Sequence, residues 1–189
     1  MIGRSRPVAV VGLFALALAF GDAAIAAAPA HAGSAASITC TGWTYTTYDP
    51  GLTNTVQSTA VVDEGYYNVI TDHSPTGSCL AFGSSASSGQ RDVTAQLDLS
   101  CNAILTETGV ETIAWNDGQS TSFPFTADAA HVGSNTVLTE TGVVSSGEFL
   151  GDDVVETFTA PNLAFLDCDT ATGVTSLDYA DIITILPPL

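Results

Sequence analysis

Four of the side chains in this sequence that are equipped for chemistry are cysteines: Cys40, Cys79, Cys101 and Cys168. No pair has the C-x-x-C spacing of a zinc or dithiol site. An even number of cysteines in an exported chain reads as two disulfides, with three possible connectivities. A hairpin-like return across the serine-rich segment GSSASSG at 83–89 would join Cys79 to Cys101. Cys40 and Cys168 would then tie the first strand to one near the C-terminus, a contact made when a barrel or sandwich closes.

The other candidates are weaker. Asp72-His73 is the only Asp-His neighbour pair, and serines are abundant, so His73 is the natural centre for a hydrolase triad. The chain has no G-x-S-x-G elbow to present a nucleophile, and His73 sits beside Pro75 and Gly77, where a solvated turn histidine is expected. His131, next to Gly133, also reads as a loop residue. Asp152-Asp153 and the Asp167/Asp169 pair offer hard oxygens to calcium, but the sixth position of an EF-hand loop begun at Asp167 is Thr172, not glycine. Trp43 and Tyr45 alternate on one face of the first strand, with Tyr48, Tyr66 and Tyr67 nearby in sequence. Exposed, the first two would form a platform for a sugar or flat ligand. Buried, they are core, and core is the expected reading for one face of a terminal strand.

The elements that must hold these residues are strands. Threonine and valine are abundant and helix-favouring charge pairs almost absent. Val93, Ala95, Leu97 and Leu99 alternate with Thr94, Gln96, Asp98 and Ser100, the pattern of a half-buried strand. Ile113 and Trp115 share one face, and Phe123 and Phe125 share another after Asn116-Asp117-Gly118, a strong hairpin signal. Pro124 cannot donate to a ladder, so its strand should be an edge or bulged there. Further strands are expected at 38–48, 59–63, 67–71, 136–143, 154–159, 163–167 and 182–186. The hexapeptide LTETGV occurs twice, at 105–110 and 138–143. Similarity stops just beyond it, so it is one kind of strand used twice, with the valines on one face and Glu107/Glu140 on the other. The fold class is all-β: an antiparallel β-sandwich or β-barrel of about 8–10 short strands with two disulfides.

Several stretches together resemble a family of small secreted actinobacterial β-rich proteins of unassigned function. They are TCTG at 39–42, YDPGLT at 48–53, IAWNDGQ at 113–119, SGEFLGD at 146–152 and PNL at 161–163 leading to Cys168. The resemblance covers nearly the whole chain after residue 32. It implies secretion, a β-rich domain and disulfides, and it carries over no catalytic residue.

The first 32 residues read as a secretory signal peptide. Arg4 and Arg6 form a basic start, residues 7–20 an apolar run too short to span a bilayer, and Ala30-His31-Ala32 a small-x-small cleavage site. Residues 33–189 are then a single β-rich domain, secreted to the extracellular space. Without Arg4, Arg6 and Asp22 the mature chain has Arg91 as its only base against 19 carboxylates, a formal net charge of −18. That argues against nucleic acid and anionic membrane surfaces as partners, since both need several cationic groups. Charged residues are nevertheless only 12% of the chain and hydrophobic ones 46%, enough to build a core. The expected function is a non-enzymatic exported domain of structural or binding role, without cofactor or metal. The alternatives are a small-molecule or carbohydrate-binding module using Trp43 and Tyr45, and a hydrolase centred on His73. Intact mass of protein recovered from the culture medium should begin at Gly33, within a few residues. Full-length chain in the cytoplasm would remove the export assignment.

Overall fold

The computed structural model describes residues 36–101 and 108–189, and their organisation follows the alternation in the sequence. Eight strands form a closed antiparallel barrel: β1 (Ser37–Leu52), β2 (Gln57–Tyr67), β4 (Gly89–Leu99), β5 (Thr108–Trp115), β6 (Ser120–Val132), β7 (Asn135–Val143), β9 (Asp153–Pro161) and β10 (Val174–Leu186). Each pairs with the next in that order, and β10 closes on β1 from Ile38↔Ile185 to Leu52↔Val174. Two short strands lie off this path. β3 (Ser78–Phe82) pairs with β1, and β8 (Ser146–Gly147) pairs with β6. A 3-10 helix spans Asn162–Asp169.

Period-2 alternation sets which side chains enter the lumen. Leu99 on β4, and Ile113 and Trp115 on β5, are buried as the pattern requires. The Asn116-Asp117-Gly118 turn joins β5 to β6, with Gly118 at φ 85°, a conformation glycine adopts without steric cost. Pro124 pairs with Val110 on one side, while on the other it falls between the β8 contacts at Thr121 and Ser122 and the β7 contacts that begin at Phe125. Its missing N–H therefore faces a gap between partners.

The lumen is filled in three layers. One end is plugged by an apolar cluster that includes Ile38, Trp115, Phe123, Phe149 and Ile183. The other end is plugged by Leu52, Leu99, Leu138, Phe158 and Leu177 among others. Between them the inward positions are polar: Thr44 on β1, Arg91 on β4, Glu111 on β5, Glu140 on β7, Glu156 on β9 and Asp181 on β10 are all buried.

Several expectations are overturned. The disulfides are Cys40–Cys79 and Cys101–Cys168, not Cys79–Cys101 and Cys40–Cys168. The cause is topological: β3 returns to β1 instead of pairing with β4, which puts Cys79 directly across from Cys40. Residues 68–71 are not strand, because β2 ends at Tyr67 and Asn68 takes a positive φ of 54°. Residues 163–167 belong to the 3-10 helix, which carries Cys168 to Cys101. His131 lies in β6, paired with Thr136, rather than in a loop. In the second hexapeptide the expected division of faces holds, with Val143 exposed and Glu140 on the opposite face in the lumen; Val110 is likewise exposed on β5, and residues 105–107 lie outside the described residues.

Sequence separations of 39 and 67 give each disulfide about 4 kcal/mol on the chain-entropy model. Together they rival the net stability of an ordinary domain. Non-reducing peptide mapping should recover Cys40–Cys79 and Cys101–Cys168 peptides, and full reduction should leave the barrel largely unfolded near 37 °C. A Cys79–Cys101 peptide would show that β3 is misplaced.

Candidate functional site

Arg91 is the centre of the lumen. Its guanidinium is buried with 2% of its side chain exposed, and it reaches carboxylates on four strands. Nη1 donates to Glu111 Oε2 at 2.7 Å, and Nη2 lies 3.9 Å from Asp63 Oδ2, 3.9 Å from Glu156 Oε1 and 4.0 Å from Asp181 Oδ2. Nη2 also donates to Thr44 Oγ1 at 3.1 Å, and that hydroxyl in turn donates to Asp181 Oδ2 at 2.8 Å. Phe158 presents its ring face to the guanidinium carbon at 4.7 Å. The buried Tyr67 hydroxyl donates to Glu156 and lies 3.4 Å from Glu111.

Local sequence makes room for this arrangement. Gly65 is the direct cross-strand neighbour of both Thr44 and Arg91. A Cβ at Gly65 would fall 2.4 Å from Arg91 Nε and 2.6 Å from its Cγ, so the arginine stem crosses the lumen over a strand position that has no side chain. Glu140 and Glu156 stand directly opposite each other on β7 and β9. Two carboxylates in that relation repel if both are ionised.

The electrostatics follow from burial. Desolvation pushes Glu111 and Glu156 well above the usual carboxylate range, and Arg91 only partly opposes it. Asp181 is pushed up to about 7 by the same cause, again against the pull of Arg91. Burial alone would lower Arg91, but the surrounding carboxylates, Glu111 foremost, hold it above its ordinary value. The layer therefore sets a permanent cation beside three acids, Glu111, Glu156 and Asp181, whose charged forms burial disfavours. Single oxygens of Glu111, Glu140 and Glu156 lie within 4.8 Å of one another, a spacing one hard cation could bridge. Arg91 already engages Glu111, and Tyr67 engages Glu156, so the guanidinium serves as the cation of this cluster.

A cavity of about 40 Å³ adjoins the layer, bounded by Asp63, Glu140, Thr46, Tyr48, Phe158 and Tyr179, among others. It has room for about three waters and is far below the ~150 Å³ that admits a benzene. The Tyr48 and Tyr179 hydroxyls meet across it at 3.1 Å, and burial raises both tyrosines.

The residues singled out from sequence lie elsewhere. Trp43 and Tyr45 are half-buried on the outer wall of the barrel, so they are not core. Trp43 Nε1 donates to Thr76 at 3.3 Å, and Tyr45 stacks on His73 with ring centroids 3.7 Å apart. Tyr48 and Tyr67 point inward. The His73 ring bonds to Asp178, 3.1 Å away, not to Asp72, and among the described residues it bonds to no serine. Asp152 is buried and Asp153 exposed. Asp167 and Asp169 are exposed, and Asp169 accepts from Asn54 at 2.6 Å. Comparison with family models, curated proteins and solved structures returned no match.

Sequence reasoning missed the whole polar layer. One signal was available: a lone arginine at an inward position of an otherwise alternating strand, two residues before Val93. Arg91→Met should destabilise the barrel by about 3–5 kcal/mol at neutral pH, because the carboxylates lose their cation. Gly65→Ala should also destabilise it through the clash with the arginine stem. Urea unfolding checks both, and near-wild-type stability of either would remove Arg91 from the centre of the structure.

Proposed function

We propose that the mature chain is an exported, non-enzymatic β-barrel that acts as a structural or binding module through its outer wall. The observation that carries this reading is the filled lumen. An eight-stranded barrel is just wide enough either to be filled by side chains or to hold one small ligand. Here two apolar plugs and the Arg91 layer occupy that space and leave a cavity of about 40 Å³. Two disulfides are compatible with an extracellular location. Nucleic acid and anionic membranes are poor partners, since the only base of the mature chain is buried and offers no positive surface. A hydrolase at His73 lacks support from its surroundings, where the ring meets a tyrosine and a carboxylate.

A second reading, a glycan or flat-ligand module, draws on the outer wall. Trp43, Tyr45 and Tyr66 are half-buried there, with Trp43 directly across from Tyr66. The chain itself covers one face of this platform, because His73 occupies the stacking face of Tyr45.

Thermal melting in the presence of oligosaccharides and planar aromatic acids at millimolar concentration separates the two. The structural reading expects no saturable shift above about 1 °C, since ligands stabilise only through binding to the folded state. A saturable shift lost in Trp43→Ala would transfer the function to the aromatic wall. Turnover of an activated ester that disappears in His73→Ala would establish the hydrolase instead.

A further inference from the structure

The charges facing Arg91 do not balance it. Around its guanidinium stand Asp63 and Tyr67 from β2, Glu111 from β5, Glu156 from β9 and Asp181 from β10, with Thr44 from β1 between them. Glu140 of β7 adds a fifth carboxyl beside Glu156. The inward residues of β6, Phe123, Phe125 and Ala127, carry no charge. One permanent cation therefore faces five acids in a layer sealed by apolar clusters at both ends.

The contacts between the acids are informative. Glu111, Glu140 and Glu156 each bring an oxygen within 4.8 Å of the others, and Glu156 Oε1 and Asp181 Oδ2 lie 3.9 and 4.0 Å from the same Arg91 Nη2. Two ionised carboxylates offer only acceptors and repel at that distance, so a proton on one partner relieves the pair. Glu156 Oε2 and Asp181 Oδ1 are buried and accept no hydrogen bond from another protein group, and a proton on either carboxyl lowers the cost of burying it. An unmet buried acceptor or unpaired buried charge is costly, so the layer depends on those protons.

We propose that the Arg91 layer is a proton-operated latch: protons shared among Glu111, Glu156 and Asp181 keep the lumen sealed in acid, and their loss at neutral to alkaline pH loosens β9 and β10 and lets water in through the cavity beside Asp63 and Glu140. β9 and β10 supply two of the three acids, and β10 is the strand that closes the barrel on β1. The sign is set by linkage. The folded state binds protons that the unfolded chain gives up, so stability is greatest below the ordinary carboxylate range and falls as pH rises toward neutrality. Surface repulsion in a chain this acidic acts in the same direction, but salt screens it, whereas the buried layer is screened much less.

The test compares wild type, Glu156→Gln and the surface control Asp98→Asn in about 0.5 M NaCl, where surface terms are screened. Wild type and Asp98→Asn should melt about 5 °C or more lower near pH 8 than near pH 5.5. Glu156→Gln, which mimics the proton-bearing form, should lose at least half of that difference. Unfolding of wild type near pH 6.5, followed in buffers of different ionisation enthalpy, should release about one proton or more, since exposed carboxylates contribute none there. Backbone amides of β9 and β10 should lose protection at the higher pH by about tenfold more than those of β6. A melting point independent of pH at high salt, an equal fall in Glu156→Gln, or no proton release overturns the proposal; uniform loss of protection across the barrel overturns the loosening of β9 and β10. Should Glu156→Gln fail to fold, the proton count of the wild-type protein decides.

Discussion

A single guanidinium inside a closed barrel is the interaction on which the rest of the molecule depends. Arg91 is the only lysine or arginine among the described residues, and it is held in the lumen by contacts from four strands. An isolated charge in that position would be prohibitively expensive. The surrounding carboxyls make it tolerable, and the guanidinium in turn makes them tolerable. Because Glu111, Glu156 and Asp181 come from strands far apart in sequence, the cluster couples the barrel's register around most of its circumference. A one-residue slip in any of those strands would turn an acid out to solvent and an uncharged neighbour inward: Val110 or Thr112, Val155 or Thr157, Ala180 or Ile182. Specificity of pairing, more than net stability, is what a buried ionic layer of this kind contributes.

The same layer explains why the two apolar clusters stay separate. On β1 the inward series runs Ile38, Cys40, Gly42, Thr44, Thr46, Tyr48, apolar at both ends and polar in the middle. β10 repeats it in the opposite direction from Leu177 to Ile185 through Asp181, and β9 does so from Val154 to Ala160 through Glu156. In the register Thr44 lies opposite Tyr179 and Glu156 opposite Ile183, so each polar midpoint is displaced by two residues from that of the next strand, as the stagger of tilted barrel strands requires. The disulfides then fasten opposite regions, Cys40–Cys79 beside the first cluster and Cys101–Cys168 beside the second. Each end has its own covalent tie, and the middle is held by charge.

This distribution leaves the outer wall with the exposed charges and the aromatic residues of β1 and β2. Half of the acidic side chains among the described residues are exposed, while the aromatic residues Trp43, Tyr45 and Tyr66 share the outside with His73 and the loop that carries it. That loop, residues 68–77, exists because β2 ends at Tyr67 and β3 must return to the other half of the same β1 edge. Its position over Tyr45 is a consequence of strand order, and strand order also decided the disulfides.

The sequence by itself determined the material and the periodicity: an all-β chain, strands at the alternating segments, the Asn116-Asp117-Gly118 hairpin, and four cysteines joined in two bridges. These are local properties, read from side-chain period, turn chemistry and cysteine number. Only the tertiary structure decided which edge β3 joins, and therefore which cysteines meet. It also decided that Trp43 and Tyr45 face outward, that residues 163–167 form a 3-10 turn, and that Glu140 and Arg91 face inward. The physical reason is that a period of two assigns residues to alternate faces but does not say which face is inside. In an amphipathic strand hydrophobicity answers that question. In β1, with threonine on one face and Trp43 and Tyr45 on the other, and around Arg91, Glu111 and Glu156, it gives the wrong answer, because burial there depends on charges paired from strands distant in the chain.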